Sequence, residues 1–221
     1  MKNNPVNNKV YVNAGNVEVL SRIEGRSLAI LDIGCGAGDN AKSLKAAGHT
    51  VDGVTLSKDE AEQAQSFCRK VYVHNLESGL PEAIQSARYN YVICSHVLEH
   101  ICFPEKLLEG IQGCLKDSGS LVVALPNLMF IRNRWHLLRG RFDYQQTGLM
   151  DNTHFRWYTF LSSRRLLEDN GFKIIRHYGT GFVPLGPVRR LIPKLGKGVD
   201  RFSCQFWPGL FSYQIIIVVS K

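Results

Sequence analysis

The run LDIGCGAGD at residues 31–39 limits the fold of this chain more than any other feature of its sequence. It joins a short apolar segment to DNAKSLKAAG, a segment with helical periodicity that stops at Gly48. The glycines at positions 34, 36 and 38 let the backbone bend sharply between the two elements. A helix start preceded by such a loop is a common place for a phosphate-bearing or nucleotide ligand. The run therefore predicts a strand, a nucleotide-binding loop and a helix.

Apolar strand-like segments alternate with helix-like segments through the first half of the chain. Ser57 and Glu60 form the capping box of one predicted helix, and Pro104 stands at the first position of another. The predicted strands read SLAILDIG, TVDGVTL, KVYVHNL, NYVICSHV and, after a turn at KDSGS, LVVALPN. Strands that are apolar on both faces and alternate with helices indicate a parallel sheet covered on both sides.

The second half of the chain has a different composition. Arginine and aromatic residues are frequent between positions 127 and 160, and a predicted helix and the strand KIIRHYG follow. A basic stretch rich in glycine and proline then leads to the strand SYQIIIVVS, and a long irregular connection of this kind is usually functional. We expect one domain over residues 1–221, divided into an N-terminal cap segment (1–26), a cofactor-binding half (27–126) and a substrate-side half (127–221) with insertions at 127–160 and 180–211.

Charge and cysteine usage narrow the class of protein. A net charge of +8 favours an anionic partner. The six cysteines include no Cys-x-x-Cys pair, so we expect neither a zinc site nor a disulfide framework, and we expect a reducing compartment. The first residues lack the apolar core of a signal peptide, and no apolar run reaches the length of a membrane span. A cytoplasmic location is expected.

The glycine loop differs from the dinucleotide-binding fingerprint, whose third glycine position is occupied here by Asp39. With Asp32 two residues before Gly34, the run instead resembles the first motif of class I S-adenosylmethionine-dependent methyltransferases. YNYVICSHVLEHICFPEKLLEGIQGCLKDSGSLVVALPN is similar to the fourth strand, Leu-Glu-His element, helix, turn and fifth strand of that family, in register. GRFDYQQTGLMDNTHFRWYTF resembles a narrower branch, the MetW-like methyltransferases and those of surface-glycan and lipid biosynthesis.

The resemblance implies a fold, a cofactor and a set of cofactor-binding residues. The implied fold is α/β, a Rossmann-like three-layer sandwich whose seven-stranded, mostly parallel sheet has the order 3-2-1-4-5-7-6 and an antiparallel seventh strand. The implied cofactor is S-adenosylmethionine, with the glycine loop beside its amino-acid moiety and Asp32 ordering that loop. The residues expected along the cofactor are Asp32, Gly34, Cys35, Gly36, Gly38, Thr55, Leu56, Asn75, Leu76, Ser95 and His96.

Two positions depart from the pattern of the family. At the end of the second strand the family usually has an acid that binds both ribose hydroxyls, whereas this chain has Thr55. Threonine can make only one such bond, so we expect weaker ribose binding or help from Ser57. After the third strand an aspartate typically meets the adenine amino group; here the residue is Asn75, whose carbonyl oxygen can still accept that hydrogen bond.

Candidate catalytic residues are expected at the carboxyl ends of the fourth and fifth strands, where the methyl group would point. A hydroxyl acceptor needs a base, and His154 is our preferred one because histidine titrates near neutrality. Asp151 would orient His154, and Arg156 would bind an acceptor anion. In a second interpretation these three residues only pin their segment to the core. His96 follows the fourth strand and would contact the cofactor or serve as a base.

Glu99 and His100 complete the run HVLEH. We expect no metal ion there, because hard cations prefer oxygen ligands and a histidine, His96, begins the run. The simpler interpretation is that Glu99 and His100 attach this loop to the following helix.

We expect methyl transfer to a small or lipid-linked anionic acceptor, and propose a hydroxyl of a sugar or nucleotide-sugar in surface-glycan or secondary metabolism. Two alternatives stay open: an RNA base methyltransferase, and a MetW-like partner that binds cofactor and regulates another enzyme. A nucleic-acid partner is not expected, since a separate RNA-binding module is lacking. Residues 182–210 mix basic and apolar side chains, which fits contact with the inner face of a membrane, a substrate lid or a dimer contact. The oligomeric state is not predicted.

Overall fold

A computed structural model describes residues 15–184 and 193–221 of the chain. These residues form one seven-stranded sheet with the order β3-β2-β1-β4-β5-β7-β6. Strands β1 to β5 run parallel, and β7 lies antiparallel between β5 and β6. The strands are β1 (Ala29–Ile33), β2 (Thr50–Thr55), β3 (Lys70–Val73), β4 (Tyr89–Ser95), β5 (Leu115–Pro126), β6 (Lys173–Gly181) and β7 (Ser212–Ser220). The predicted fold class, strand order and antiparallel seventh strand are confirmed.

Helices connect the strands, and local sequence signals set where several of them begin. The side chains of Asn16, Ser57 and Thr159 each accept a backbone N–H bond at the start of a helix, which satisfies a donor that has no partner within the helix. The helices are α1 (Val17–Leu20), α2 (Asp39–Ala46), α3 (Lys58–Ala64), α4 (Glu82–Gln85), α5 (Glu105–Cys114), α6 (Ile131–Leu138), α7 (Phe160–Asp169), α8 (Pro193–Phe206) and α9 (Pro208–Phe211).

The sheet is buried on both faces by two separate apolar clusters. Successive residues of a strand point to opposite faces, so Ile30 belongs to one cluster and Leu31 to the other. Residues of α2 and α3 cover the Ile30 face, and residues of α5 and α7 cover the Leu31 face. The arrangement is the three-layer sandwich expected from the apolar, β-branched strands.

Two local predictions are corrected, the turn at KDSGS and the irregular structure at 180–211. The turn expected at KDSGS belongs to β5: Tyr89 pairs with Leu115 and Tyr91 with Ser120, so residues 116–119 bulge out of the register. The insertion at 127–160 contains α6, and the region expected to be irregular at 180–211 contains α8 and α9. Glycines weaken the helical signal of α8, but its packing against β6 and α9 overrides that local preference.

Several predictions fall partly outside the described residues, namely the N-terminal cap segment before residue 15 and the membrane-contact segment at 185–192. The division of the chain into halves stays a prediction. All six cysteines are free. Within the described part of the chain, no helix has the length and apolar character needed to cross a membrane.

Candidate functional site

The glycine loop between β1 and α2 lies at the carboxyl edge of the parallel strands. Gly34, Gly36 and Gly38 have φ angles of 70°, 53° and 93°, a region that other residues adopt only with strain. A Cβ atom at Gly34 would lie 2.4 Å from Cγ2 of the buried Val97. The loop therefore depends on glycine at this position, and it keeps a backbone surface that a ligand can approach closely.

Asp32 lies at the base of the loop and is almost fully buried, with 1% of its surface exposed. Neither carboxylate oxygen has a hydrogen-bond partner among the described residues. Burial raises the pKa of Asp32 to about 7, against a smaller opposing effect of Asn40. A buried acceptor without a donor is costly, so it marks a place where a cationic ligand group fits. The ammonium group of the amino-acid moiety of S-adenosylmethionine meets that requirement.

Cys35 is predicted to lie along the cofactor, and its own contacts are within the protein. Its N–H donates to the Val54 carbonyl and its carbonyl accepts from the Gly38 N–H, both at 2.9 Å. Its thiol is buried beside Cys68, and a Cβ at Gly53 would lie 2.6 Å from its sulfur. Because its thiol and backbone groups are engaged within the protein, Cys35 shapes the loop and does not present its side chain to a ligand.

The end of β2 carries an acid that the sequence analysis did not place there. The Thr55 hydroxyl donates to Oε2 of Glu60 at 2.6 Å, and both side chains are buried. Ser57 starts α3 and accepts the Glu60 N–H, which turns Glu60 toward the sheet edge. The capping-box spacing identified Glu60 only as a helix-start residue, because spacing does not show where a carboxylate points. Leu56 is 44% exposed beside this pair.

Asn75 and Leu76 follow β3, as predicted. The Asn75 side-chain oxygen accepts the Glu77 N–H at 3.1 Å and so caps the short 3-10 turn Leu76–Ser78. Asn75 is exposed, and an amide oxygen has a second lone pair, so the predicted hydrogen bond to an adenine amino group remains compatible with this geometry. Leu76 packs partly against the core.

His96 directly follows β4 in a left-handed conformation with φ of 57°, which is unusual for a residue other than glycine. Its Nδ1 lies 3.2 Å from a Glu99 oxygen, and its Nε2 lies 2.6 Å from the side-chain oxygen of Gln214. Burial alone would lower the pKa of His96, but the hydrogen bonds to Glu99 and Gln214 outweigh burial and raise it above the usual value. The ring is therefore held as a hydrogen-bond donor at the sheet edge.

The N-terminal cap segment reaches this edge through Asn16. Its side-chain amide donates to Ser95 Oγ at 3.0 Å and to the Gln214 oxygen at 2.9 Å. Gln214 lies near the start of the antiparallel strand β7, which therefore meets the carboxyl edge of β4. No sequence motif identified Asn16 or Gln214, because only the strand order brings them beside His96.

Backbone hydrogen bonds hold the segment around His154 against the 3-10 turn that follows β4. The backbone N–H groups of Phe155 and Arg156 both donate to the Glu99 carbonyl, at 2.9 and 3.0 Å. The His154 ring packs edge-to-face against His100 and Trp157, with centroids 4.7 and 5.3 Å away. Burial lowers the pKa of His154 below its usual value, which favours the neutral ring.

Asp151 and Arg156 make contacts within the protein, and their predicted catalytic roles stay predictions. The Asp151 carboxylate accepts hydrogen bonds from the N–H and the hydroxyl of Thr153, at 2.9 and 2.7 Å, so it shapes the turn before His154. The Arg156 side chain donates to the Cys102 carbonyl at 2.6 Å and lies 3.8 Å from Glu105. These contacts match the interpretation in which the two residues hold the segment in place.

Glu99, His100 and His154 offer three potential metal-ligand atoms within 4.8 Å of one another. Oε2 of Glu99 and Nδ1 of His154 are buried without hydrogen-bond partners among the described residues, and Glu99 is fully buried. Nδ1 of His100 lies 3.1 Å from the Thr153 carbonyl oxygen. Two imidazoles and a carboxylate can accept a proton or hold a divalent cation. The sequence prediction of no metal did not consider His154 as a ligand, since it is remote in the chain.

A pocket of about 310 Å³ lies between α6 and the chain that leads to the His154 segment. It contains Gly148–Met150, which precede the His154 segment, and Tyr213, which precedes Gln214. Its lining combines aromatic side chains (Phe130, Phe142, Phe182 and Tyr213), basic ones (Arg132, His136 and Arg141) and the polar Asn133, Asp143 and Gln145. Such a pocket suits a ring with an anionic substituent.

Comparison with known proteins places this geometry in a family. Residues 8–177 match a family described as a methyltransferase domain. The ubiquinone biosynthesis O-methyltransferase of Rickettsia felis is 30% identical over 102 residues, which are 45% of this chain and 42% of that protein. The chain thus spans about half or less of the length of the curated relatives it matches.

Solved structures share the fold at low sequence identity. An S-adenosylmethionine-dependent methyltransferase from Archaeoglobus fulgidus has a TM-score of 0.60 and 19% identity, covering 87% of this chain and 86% of that one. The magnesium protoporphyrin IX methyltransferase from Synechocystis PCC 6803, solved with bound SAH, has a TM-score of 0.57 and 18% identity, covering 89% and 75%.

Proposed function

The chain belongs to the methyltransferase-domain family, with S-adenosylmethionine as its cofactor, and on that premise we propose that it methylates a hydroxyl group of a small, ring-bearing anionic acceptor. The pocket lined by Gly148–Met150, which precede the His154 segment, is the observation that carries this proposal, because its lining combines aromatic with basic side chains. When bound, the cofactor supplies a methyl group on a sulfonium sulfur. The protein must hold the acceptor oxygen in line behind that methyl group and exclude water.

Two acceptor types meet the chemistry of the pocket. The aromatic lining favours a phenolic ring, and the relatives carry ubiquinone biosynthesis O-methyltransferase as their name. Arg132 and Arg141 in the lining, the latter paired with Asp143 at 3.1 Å, favour the diphosphate of a nucleotide-sugar, which is the acceptor class proposed from the sequence and from the MetW-like, surface-glycan resemblance. We propose the phenolic acid as the first acceptor class and the nucleotide-sugar hydroxyl as the second.

We propose His154 as the general base and His96 as a positioning residue at the sheet edge, since both of its ring nitrogens bond within the protein, to Glu99 and Gln214. The surroundings of the two rings shift their pKa values in opposite directions: the pKa of His154 is lowered and that of His96 is raised. Nδ1 of His154 has no partner among the described residues, so a lone pair is available to take a proton. The fully buried Glu99 lies close enough to stabilise the imidazolium that forms.

The test is a product assay for S-adenosylhomocysteine with phenolic acids, nucleotide-sugars and a transfer RNA as acceptors. We expect turnover with one of the first two classes, and a loss of about 100-fold or more in the His154→Ala variant with cofactor binding retained. His49→Ala is the matched control, since His49 precedes β2 at the opposite edge of the sheet and should leave turnover unchanged. Turnover on RNA alone would refute the acceptor proposal.

Two further outcomes would reassign the site. If a chelator abolishes turnover and Mn²⁺ or Zn²⁺ restores it, Glu99, His100 and His154 hold a cation, and His154 is not a free base. If no acceptor is turned over and the protein copurifies with an enzyme that it activates, the MetW-like regulatory function replaces catalysis.

We also propose that α8 contacts the inner face of an anionic membrane and that the protein is cytoplasmic. Phe202, Phe206 and Trp207 are 54%, 58% and 56% exposed, and their rings pack together on the surface. Lys197 and Arg201 are exposed on the same helix. Exposed aromatic residues beside basic ones are typical of interfacial helices. Flotation with phosphatidylglycerol vesicles should carry the wild type but not Phe206→Ser, and equal flotation of the two would refute the contact.

A further inference from the structure

The last residue of β2 and the third residue of α3 form a buried hydrogen-bonded pair. The Thr55 hydroxyl donates to Oε2 of Glu60 at 2.6 Å, with the two residues only 3% and 6% exposed. The Ser57 N–H lies 3.5 Å from the Thr55 oxygen. Both side chains thus occupy the carboxyl end of β2, next to the glycine loop at the end of β1.

The direction of this hydrogen bond decides what the pair can bind. Threonine has one hydroxyl proton, and Thr55 gives it to the carboxylate. Its oxygen then offers lone pairs, and an ionised carboxylate is an acceptor with about four lone-pair directions. The pair therefore presents acceptors only, on two adjacent residues. A vicinal diol, which brings two hydroxyl donors on neighbouring carbons, is the complementary group.

Several contacts place Glu60 against the cofactor loop rather than on the outer side of α3. A Cβ at Gly38 would lie 3.1 Å from the Ala64 Cα, so α3 packs directly on the loop. The pKa of the Cys35 thiol is raised by the hydrogen bond with Cys68, by burial, and by the charges of Asp32 and Glu60. The Glu60 carboxylate is thus close enough to the loop for its charge to act there.

We propose that Glu60, with Thr55, binds the two ribose hydroxyls of the cofactor, so that a residue of α3 replaces the acid that β2 lacks. The inference rests on S-adenosylmethionine as the cofactor of the proposed function. It corrects the expectation that Thr55 leaves ribose binding weak or dependent on Ser57. It also predicts selectivity, because an acceptor-only site rejects a ribose whose hydroxyl is missing or phosphorylated.

The test measures binding by calorimetry, without turnover, using S-adenosylhomocysteine and its 2′-deoxy and 3′-deoxy analogues. The wild type should bind each deoxy analogue at least about 10-fold more weakly than the parent compound. Glu60→Met keeps the length of the side chain but removes the carboxylate; it should bind the parent compound about 10-fold or more weakly and lose most of the discrimination. Glu62→Met, at an exposed position of the same helix, is the matched control and should behave as the wild type.

Thr55→Val, which removes the hydroxyl at nearly constant volume, should lower discrimination against one deoxy analogue and not both. If Glu60→Met does not fold, this variant and the analogue series on the wild type decide the question. A wild type that binds all three compounds equally, or a folded Glu60→Met that still discriminates, would overturn the inference. A wild type that binds none of them would instead overturn the cofactor assignment.

Discussion

Replacing Asp32 with asparagine removes the charge of the buried carboxylate at the end of β1 while keeping its shape. In the folded, ligand-free protein neither oxygen has a hydrogen-bond partner among the described residues, and burial raises the pKa to about 7 from an ordinary 3.8. The charge therefore opposes folding and, in our interpretation, serves to bind the cofactor ammonium group. Asp32→Asn should stabilise the ligand-free protein and weaken cofactor binding.

The size of the effect on the free energy of unfolding follows from the pKa of Asp32 in the unfolded chain, 3.8, and in the folded protein, about 7. Between pH 3.8 and about 7 the folded protein retains a proton that the unfolded chain has released. The contribution of the protonated carboxyl to stability is complete below pH 3.8 and is lost as the pH rises through 7. A difference of about 3 in pKa, at about 1.36 kcal/mol for each unit, corresponds to about 4 kcal/mol. Of this, about 3 kcal/mol is lost between pH 5 and pH 8.

Urea unfolding of the ligand-free wild type and of Asp32→Asn at pH 5, 6, 7 and 8 measures this effect. All other titrating groups cancel in the difference between the two proteins. The free energy of unfolding of the variant should exceed that of the wild type by an amount that grows by about 3 kcal/mol across the series. A constant difference would mean that the Asp32 carboxylate is compensated in the folded state, which contradicts the geometry described above.

The affinity for the cofactor should change with pH in the opposite direction to the stability of the ligand-free wild type. Below pH 7 the affinity of the wild type for S-adenosylhomocysteine should fall about tenfold for each pH unit, because the carboxyl must lose its proton to pair with the ammonium group. The affinity of Asp32→Asn should be lower at pH 8 and nearly independent of pH. Parallel pH profiles for the two proteins would exclude Asp32 as the partner of the amino-acid moiety.

Two further predictions concern the glycine loop and the edge strand β6. Gly34→Ala should lower the free energy of unfolding by about 2–4 kcal/mol, since it adds left-handed strain and a contact of 2.4 Å with Val97. Gly113→Ala in α5, where an added Cβ meets open space, should raise the free energy of unfolding by about 0.5–1 kcal/mol. Equal effects of the two substitutions in urea unfolding would contradict this reasoning. His177 stacks on Phe160, and burial lowers the pKa of His177 to about 4. As the pH falls from 6.5 to 4, the unfolded chain takes up the proton first, so the free energy of unfolding of the wild type should fall by about 2–3 kcal/mol. The free energy of unfolding of His177→Phe should not show this fall. Urea unfolding at pH 7 and 4.5 measures it, and the same fall in both proteins would refute the prediction.

The fold was predictable because its signals are local and repeated. Apolar residues at successive positions of β1, β4 and β5 require burial on both faces, and the capping signals and the glycine loop fix where helices begin. Local signals failed where tertiary packing competed with them. Glycines argued against helix α8, and KDSGS argued for a turn inside what is β5, yet packing and strand register decided both.

The residues of the candidate site also fall into those set by local sequence and those set by tertiary packing. The sequence by itself determined the glycine loop, with Asp32 at its base, because strand, loop and helix are contiguous and the backbone geometry depends on residue type. It also determined the positions that follow β2 and β3. Only the tertiary structure decided which side chains meet across these elements. Glu60 reaches Thr55 because α3 packs on the loop, and Gln214 reaches His96 because β7 runs antiparallel into the same edge of the sheet. Side-chain direction and contacts between remote segments depend on packing, which residue spacing does not encode.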